Sequence, residues 1–236
     1  MLSVLESASP ETASYFRALV RQLNGCAPDR TSWHLLLEQS SAVDGTAFLK
    51  TLLDASTDAD TMSRLADSYD EKEGCIRLRL AQAPGLSVRL HIWTPPAPGQ
   101  EPYLENVHGH RRYMSSLILT GSYISDDYEY DEADAELTMT GRRVLRSGSS
   151  YVIAPQTVHA IANPYAEHCV TLIFRGDVVT DRILVFDKTS GAATAHISQR
   201  PVAQLARTEE QQRMSRAEYL RWRLDRIHDE LASAAT

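Results

Sequence analysis

The sequence predicts a mainly β protein: a strand-built barrel with helices on both sides of it. Three observations carry that reading. The hydrophobic period changes from helical to alternating near Cys75. Short strand-like runs then follow at near-even spacing, separated by Gly, Asp, Ser or Pro. The helical period returns after Ser215.

Taken in order, Ser9-Pro10-Glu11 is a helix start, with Ser9 able to cap and Pro10 suited to the first helical position. Tyr15, Phe16, Leu19, Val20 and Leu23 recur at helical spacing, and Gly25 can end the segment. Shorter helical patterns cover 31–39, 45–53 (Phe48, Leu49, Leu52, Leu53) and 59–66. Ile76-Arg77-Leu78-Arg79-Leu80 alternates strictly, as does Val88-Arg89-Leu90-His91-Ile92, with a turn signal at Pro84-Gly85 between them. Further strands are expected at about 114–120, 122–130, 136–140, 150–154, 158–162 and 168–175. Ser215 and Glu218 have capping-box spacing, and Leu220, Leu224, Ile227 and Leu231 make one apolar stripe, expected to pack on the barrel. The organisation is one barrel, 71–190, between helical extensions at 1–70 and 191–236.

Hydrophobic content of 43% and charged content of 23% exclude a disordered chain. A net charge of −7 argues against nucleic acid or an anionic membrane as partner, since both select basic surfaces. Seven acidic residues between Asp126 and Glu136 are expected to form a solvated loop rather than a metal or partner site. Cys26, Cys75 and Cys169 show neither CxxC pairing nor zinc spacing, which suits a reducing compartment. With no signal-peptide pattern at the start and no run of eighteen apolar residues, a cytoplasmic location is the expectation.

Three of the eight histidines stand out by spacing. His108 and His110 lie two apart, ahead of the apolar run Leu117-Ile118-Leu119 that ends at Gly121. Residues two apart on a strand face the same side, so both imidazoles can reach one ion. His159 ends the stretch Tyr151-Val152-Ile153-Ala154-Pro155-Gln156-Thr157-Val158-His159. The bland alternative makes the first two loop residues and the third a lone core histidine. Three histidines at matching positions favour a metal site.

In this pattern the region 75–187 resembles the cupins. Their first motif reads G-x5-H-x-H-x3,4-E-x6-G. His108, His110 and Gly121 match it, Met114 stands at the glutamate position, and Pro102 replaces the opening glycine. Their second motif reads G-x5-P-x-G-x2-H-x3-N. Gly148, His159 and Asn163 match; the proline is displaced by one to Pro155, and Gln156 replaces the inner glycine. The resemblance implies a double-stranded β-helix, or jelly-roll barrel, holding one divalent ion per chain on His108, His110 and His159. Without the glutamate the site resembles the three-histidine centre of the cysteine (thiol) dioxygenase branch, where iron(II) binds a thiolate substrate and dioxygen. Iron(II) is therefore favoured, while nickel, manganese, cobalt and zinc also suit imidazole. That branch's cysteine–tyrosine cross-link cannot form, because Met114, Ser115 and Ser116 hold the nearest positions. Phe174, Arg175 and Gly176 stand where its Ser-His-Tyr relay would be.

The same branch places an arginine on an early strand to hold the substrate carboxylate, so Arg77, Arg79 and Arg89 are the substrate-binding candidates. Two placements of Arg77 and Arg79 are open: facing the cavity, or forming an outer row with Ile76, Leu78 and Leu80 turned inward. Arg89 shares its face with His91 and Trp93, a mixture that suits a pocket wall. His91 is a hydrogen-bonded core histidine, or else a fourth ligand or acid–base group. Tyr151, ahead of Tyr123, Tyr128 and Tyr130, is the candidate for positioning substrate or oxygen, against the reading of a packing residue. The expected function is a metal-dependent oxygenase that acts with dioxygen on a small thiol or amino acid such as L-cysteine, with decarboxylation chemically adjacent. The alternatives are an oxygen-independent metal lyase or isomerase, and a non-catalytic small-molecule binder. A homodimer through barrel edges is expected by analogy.

Overall fold

The computed structural model describes residues 14, 49–50, 52–54, 56–57, 59–72, 74–83, 85–96, 99–100, 106–180, 183–186, 193–196 and 214–234. The helices expected at 9–25 and 31–39 lie outside them, Ser14 excepted. Of the 45–53 segment, Leu49, Leu52 and Leu53 are described, helical and buried. Helix α1 is Ala59–Ser68 and helix α2 is Arg216–Ala234. Between them run β1 (Asp70–Lys72), β2 (Cys75–Ala83), β3 (Leu86–Trp93), β4 (Met114–Thr120), β5 (Ser122–Asp131), β6 (Glu136–Arg146), β7 (Ser150–Ile153), β8 (Val158–Ala162), β9 (Cys169–Arg175), β10 (Ile183–Phe186) and β11 (Ala193–His196). No helix among the described residues is long and apolar enough to cross a membrane.

The strands form a jelly-roll barrel of two antiparallel sheets. One has the order β1-β2-β3-β9-β4-β7 and the other is built on β6-β5-β8. Single bridges from His108 to His159 of β8 and to Val185 of β10 attach the β10–β11 pair to the second sheet. The strands form where β-branched and aromatic residues alternate with polar ones, and they stop at residues that accept a left-handed backbone. Gly121, with φ 70°, separates β4 from β5. A Cβ there would lie 2.2 Å from the His168 carbonyl oxygen, so only glycine fits.

The alternation in β2 and β3 divides two unlike environments, in the sense opposite to the usual one. Ile76, Leu78, Leu80, Val88, Leu90, Ile92, Leu172 and Phe174 do not point into the barrel. They face outward and are buried under Leu49, Leu52, Leu65, Tyr219, Leu220, Leu224 and Ile227 of the helical layer. Each such fully buried side chain contributes roughly 2 kcal/mol. Of the two placements considered from the sequence, Arg77 faces the cavity, whereas Arg79 is exposed as in an outer row, although the apolar residues between them face the helices rather than the interior. Helices cover the apolar face, which leaves the polar face of β2 and β3 to line the interior. Helix α2 begins with the expected capping box: the Ser215 N–H donates to the Glu218 carboxylate at 2.7 Å, and the Glu218 N–H donates to Ser215 Oγ at 3.3 Å. Buried Glu71 accepts hydrogen bonds from the Tyr69 and Tyr219 hydroxyls where the two helices meet the sheet.

The barrel interior is closed at one end by Cys75, Trp93, Ile118, Tyr123, Ile161 and Cys169, drawn from both sheets. The acidic run is not the solvated loop expected. Its first half lies in β5, where the side chain of Asp126 is 5% exposed and accepts both guanidinium bonds of Arg142, at 2.6 and 2.8 Å. Cross-strand pairing with β6 supplies the counter-ion that the sequence alone did not reveal.

Candidate metal centre

The second sheet brings His108 and His159 together. They sit directly opposite one another in an antiparallel bridge and exchange both backbone hydrogen bonds, at 2.9 and 3.0 Å. Residues paired in this way carry their side chains on the same face of a sheet. His110 follows two residues on, after Gly109 has bonded to the Leu184 carbonyl at 2.8 Å, and its own carbonyl accepts a 3.3 Å bond from the Gln156 N–H. One potential ligand atom from each of the three histidines lies within 4.8 Å of the others, and the ring centroids are 4.7 to 5.1 Å apart. The three residues selected from sequence spacing therefore do converge.

Their protonation suits a cation. Burial, and after it the neighbouring histidines, hold His110 well below the ordinary imidazole range; burial and then His108 do the same for His159. His108 donates its Nδ1–H to the Asn106 carbonyl at 2.8 Å, which leaves Nε2 as its lone-pair nitrogen. The Nε2 atoms of His110 and His159 face each other at 2.7 Å. Two neutral imidazoles meeting nitrogen to nitrogen share one proton at most, whereas one cation satisfies all three lone pairs. Nitrogen ligands bind such an ion at about 2.0–2.1 Å, which sets neighbouring nitrogens roughly 3–4 Å apart. The observed spacings bracket that range. The residues present thus fit one divalent ion. Met114, buried at the position of the motif's glutamate, adds no charge to the donor set.

The cluster opens on a cavity of about 210 Å³ inside the barrel, room for roughly seven waters. Arg77, Arg89, His91, Trp93, Met114, Tyr123, Tyr151, Thr171 and Arg175 are among its lining residues. Arg79 is not: its side chain is exposed beside the bulge that follows it in β2. Arg77 is ion-paired with Asp70 at 2.6 Å. Burial, then Arg77, Arg175 and Arg89 in turn, hold His91 well below the ordinary range, and its Nε2 is buried with no hydrogen-bond partner among the described residues. Tyr151 shares a 2.5 Å hydroxyl–hydroxyl bond with Tyr123, whose own ionisation is pushed well above the usual phenol range by burial and then by Tyr151. Tyr128 and Tyr130 do not line this cavity; they pack beside Val158 and Phe186.

Arg175 was missed in the sequence. It ends β9 opposite Met114 and Ser87, and its neighbours Leu172, Ile173 and Phe174 made the segment resemble a plain core strand. Burial, then Arg89, Arg112 and Arg77, lower its pKa to about 9, so it remains charged at neutral pH. The available signal was parity: Arg175 is even-spaced with Thr171 and Ile173, which pair with His91 and Arg89.

No family model matches the sequence, and no curated protein does. Solved structures with a similar chain path include an RmlC-like cupin from Shewanella frigidimarina NCIMB 400. It is 18% identical, with 48% of this chain and 84% of that one covered, at a TM-score of 0.34. KdgF from a Halomonas species is 17% identical over 46% and 87% of the two chains, with a TM-score of 0.35. An oxalate oxidase is 15% identical over 44% and 52%, with a TM-score of 0.35.

Proposed function

We propose that this protein is a mononuclear metal-dependent cupin-type enzyme that oxidises a small carboxylate-bearing molecule with dioxygen. Small thiols and amino acids such as L-cysteine are the first substrates to test. One observation carries the reading: three imidazoles converge on a 210 Å³ cavity that also holds three arginines. When bound, a divalent ion supplies Lewis acidity and open coordination positions, and iron(II), the favoured ion, adds redox chemistry with dioxygen.

The chain's own residues then have distinct tasks. Arg89 and Arg77 orient the substrate through its carboxylate, and exposed Arg79 takes no part in this. Neutral His91 offers a buried Nε2, unpartnered among the described residues, for a hydrogen bond to substrate inside the cavity. Tyr151, bonded to Tyr123, offers a hydroxyl to substrate. The apolar residues at the closed end exclude water beyond Trp93 and Tyr123.

The test is elemental analysis followed by oxygen-electrode assays of iron-loaded protein with small thiols, amino acids and small mono- and dicarboxylates. Oxygen uptake that needs both metal and substrate, and is lost in His159→Ala, is the expected result. No uptake with any of these compounds removes the oxygenase step. A second reading, metal-assisted lyase or isomerase chemistry without oxygen, draws on the proton-handling groups His91, Tyr123 and Tyr151 on the cavity wall. Turnover by zinc-loaded protein under anaerobic conditions would establish it instead.

A further inference from the structure

Three guanidinium groups line one small cavity, and among the described residues only one of them has a carboxylate at ion-pair distance. Arg77 pairs with Asp70, whereas Arg89 and Arg175 have no carboxylate partner among the described residues. The Nε atoms of all three are buried without a hydrogen-bond partner among the described residues. No Asp or Glu is among the described residues lining the cavity. Arg89 on β3 faces Ile173 across the strand pair, and Arg175 lies two residues further along β9, so the two arginines are diagonal neighbours on one sheet face. Like charges so placed repel, and burying them without anions is costly.

A stable protein holds such a pair when an anion completes it. A planar guanidinium presents a donor fork matched to a carboxylate, and two of them exceed what one carboxylate needs to be oriented. A substrate ammonium, by contrast, would find no carboxylate among the described residues of this wall. Its acceptors would be hydroxyls: those of Tyr123 and Tyr151, and that of Thr171, which is buried without a hydrogen-bond partner among the described residues.

We infer that Arg89 and Arg175 form an oxyanion subsite that selects dianionic substrates, which present one anionic group to the histidine cluster and a second to this pair. The inference rests on reading the cavity as the substrate site. It narrows the substrate class from small acids in general to dicarboxylates and acids of like charge, and turns it away from zwitterionic α-amino acids. Arg175 is then a specificity-determining residue.

The experiment is calorimetric titration of the full-length zinc-loaded protein at constant ionic strength, with succinate, propionate and L-alanine as probes. Zinc content is measured on the same samples. Succinate is expected to bind at least tenfold more tightly than propionate or L-alanine. Arg89→Met and Arg175→Met should each weaken succinate at least tenfold with one zinc per chain retained, while Arg146→Met on the exposed face of β6 leaves it unchanged. Equal binding of the three probes, or unchanged succinate affinity in Arg175→Met, overturns the inference. Should Arg175→Met not fold, Arg175→Lys keeps the charge and loses the planar fork. It should weaken succinate at least fivefold, and unchanged affinity there also overturns the inference. Failure of the metal reading shows separately, as zinc that does not bind stoichiometrically or that survives His108→Ala.

Discussion

Single side chains in the cavity balance charge against burial, and each can be tested alone. His91 is neutral in the folded protein because burial and three arginines disfavour its protonated form. Its folded pKa therefore lies below the unfolded value of about 6.5. The stability it contributes is complete above pH 6.5 and declines as pH falls below that value, because the unfolded chain then binds a proton that the folded chain refuses. The decline is at most about 1.4 kcal/mol per pH unit for one histidine. In metal-free protein, urea midpoints measured from pH 7.5 to 5 should fall less steeply for His91→Gln than for the parent; superimposable profiles would refute this. Arg175 offers a second test. Removing a buried charge that lacks a counter-ion stabilises a fold, so Arg175→Met should raise the unfolding free energy of the metal-free protein by about 1 kcal/mol. For the ligands themselves, His108→Ala, His110→Ala and His159→Ala should each abolish stoichiometric metal, whereas His228→Ala, on the exposed surface of α2, should not.

At the scale of elements, the turns around the ligands carry the strain. Gln156 has φ 74° in the turn that leads into β8 and to His159. The motif places glycine at this position, and the backbone explains why, because a left-handed conformation strains a residue with a Cβ. Gln156→Gly should stabilise the protein by about 0.5–1 kcal/mol in chemical denaturation, with metal content unchanged. Gly121→Ala is the opposite case. Its added methyl meets backbone, which cannot move aside as a side chain does, and a loss of about 3 kcal/mol or more is expected, together with poor yield. Asn163, the last motif residue, bonds the Trp93 and Glu167 carbonyls and the Tyr165 N–H, so its role is to hold the β8–β9 connection. These elements were legible because turn residues, capping boxes and strict alternation are local properties. The strands β10 and β11 were not: four residues each is too short for a period to show, and they are set in place by pairing.

For the whole molecule, the convergence of His108, His110 and His159 could be read from the sequence and the facing of the first sheet could not. Alternation separates two faces without saying which of them meets the other sheet. Ile76, Leu78 and Leu80 are the more apolar set, and in a two-layer protein they would point between the sheets. Here a third, helical layer takes that face, as Leu220, Leu224 and Ile227 pack on it. The interior is left to Arg77, Arg89, His91 and Arg175, and the cavity owes its polarity to that exchange. Leu224→Ala should accordingly cost about 2–5 kcal/mol, although it lies on the far side of the sheet from the histidines. Metal stoichiometry measured below the unfolding transition should remain at one. A loss of metal in this variant would show that the helical layer shapes the site as well as supporting the sheet.

The reciprocal backbone bonds between His108 and His159 have one more consequence. Ladder hydrogen bonds, not coordination, bring these imidazoles side by side, so the chain can mature before any ion arrives. Unlike a zinc finger, which is a coil until loaded, such a scaffold is expected to keep its fold in the presence of chelators and to exchange a bound ion without refolding. Which element occupies it in a cell then follows from local supply and relative affinity, and the same polypeptide grown in different media should yield different occupants in one unchanged scaffold.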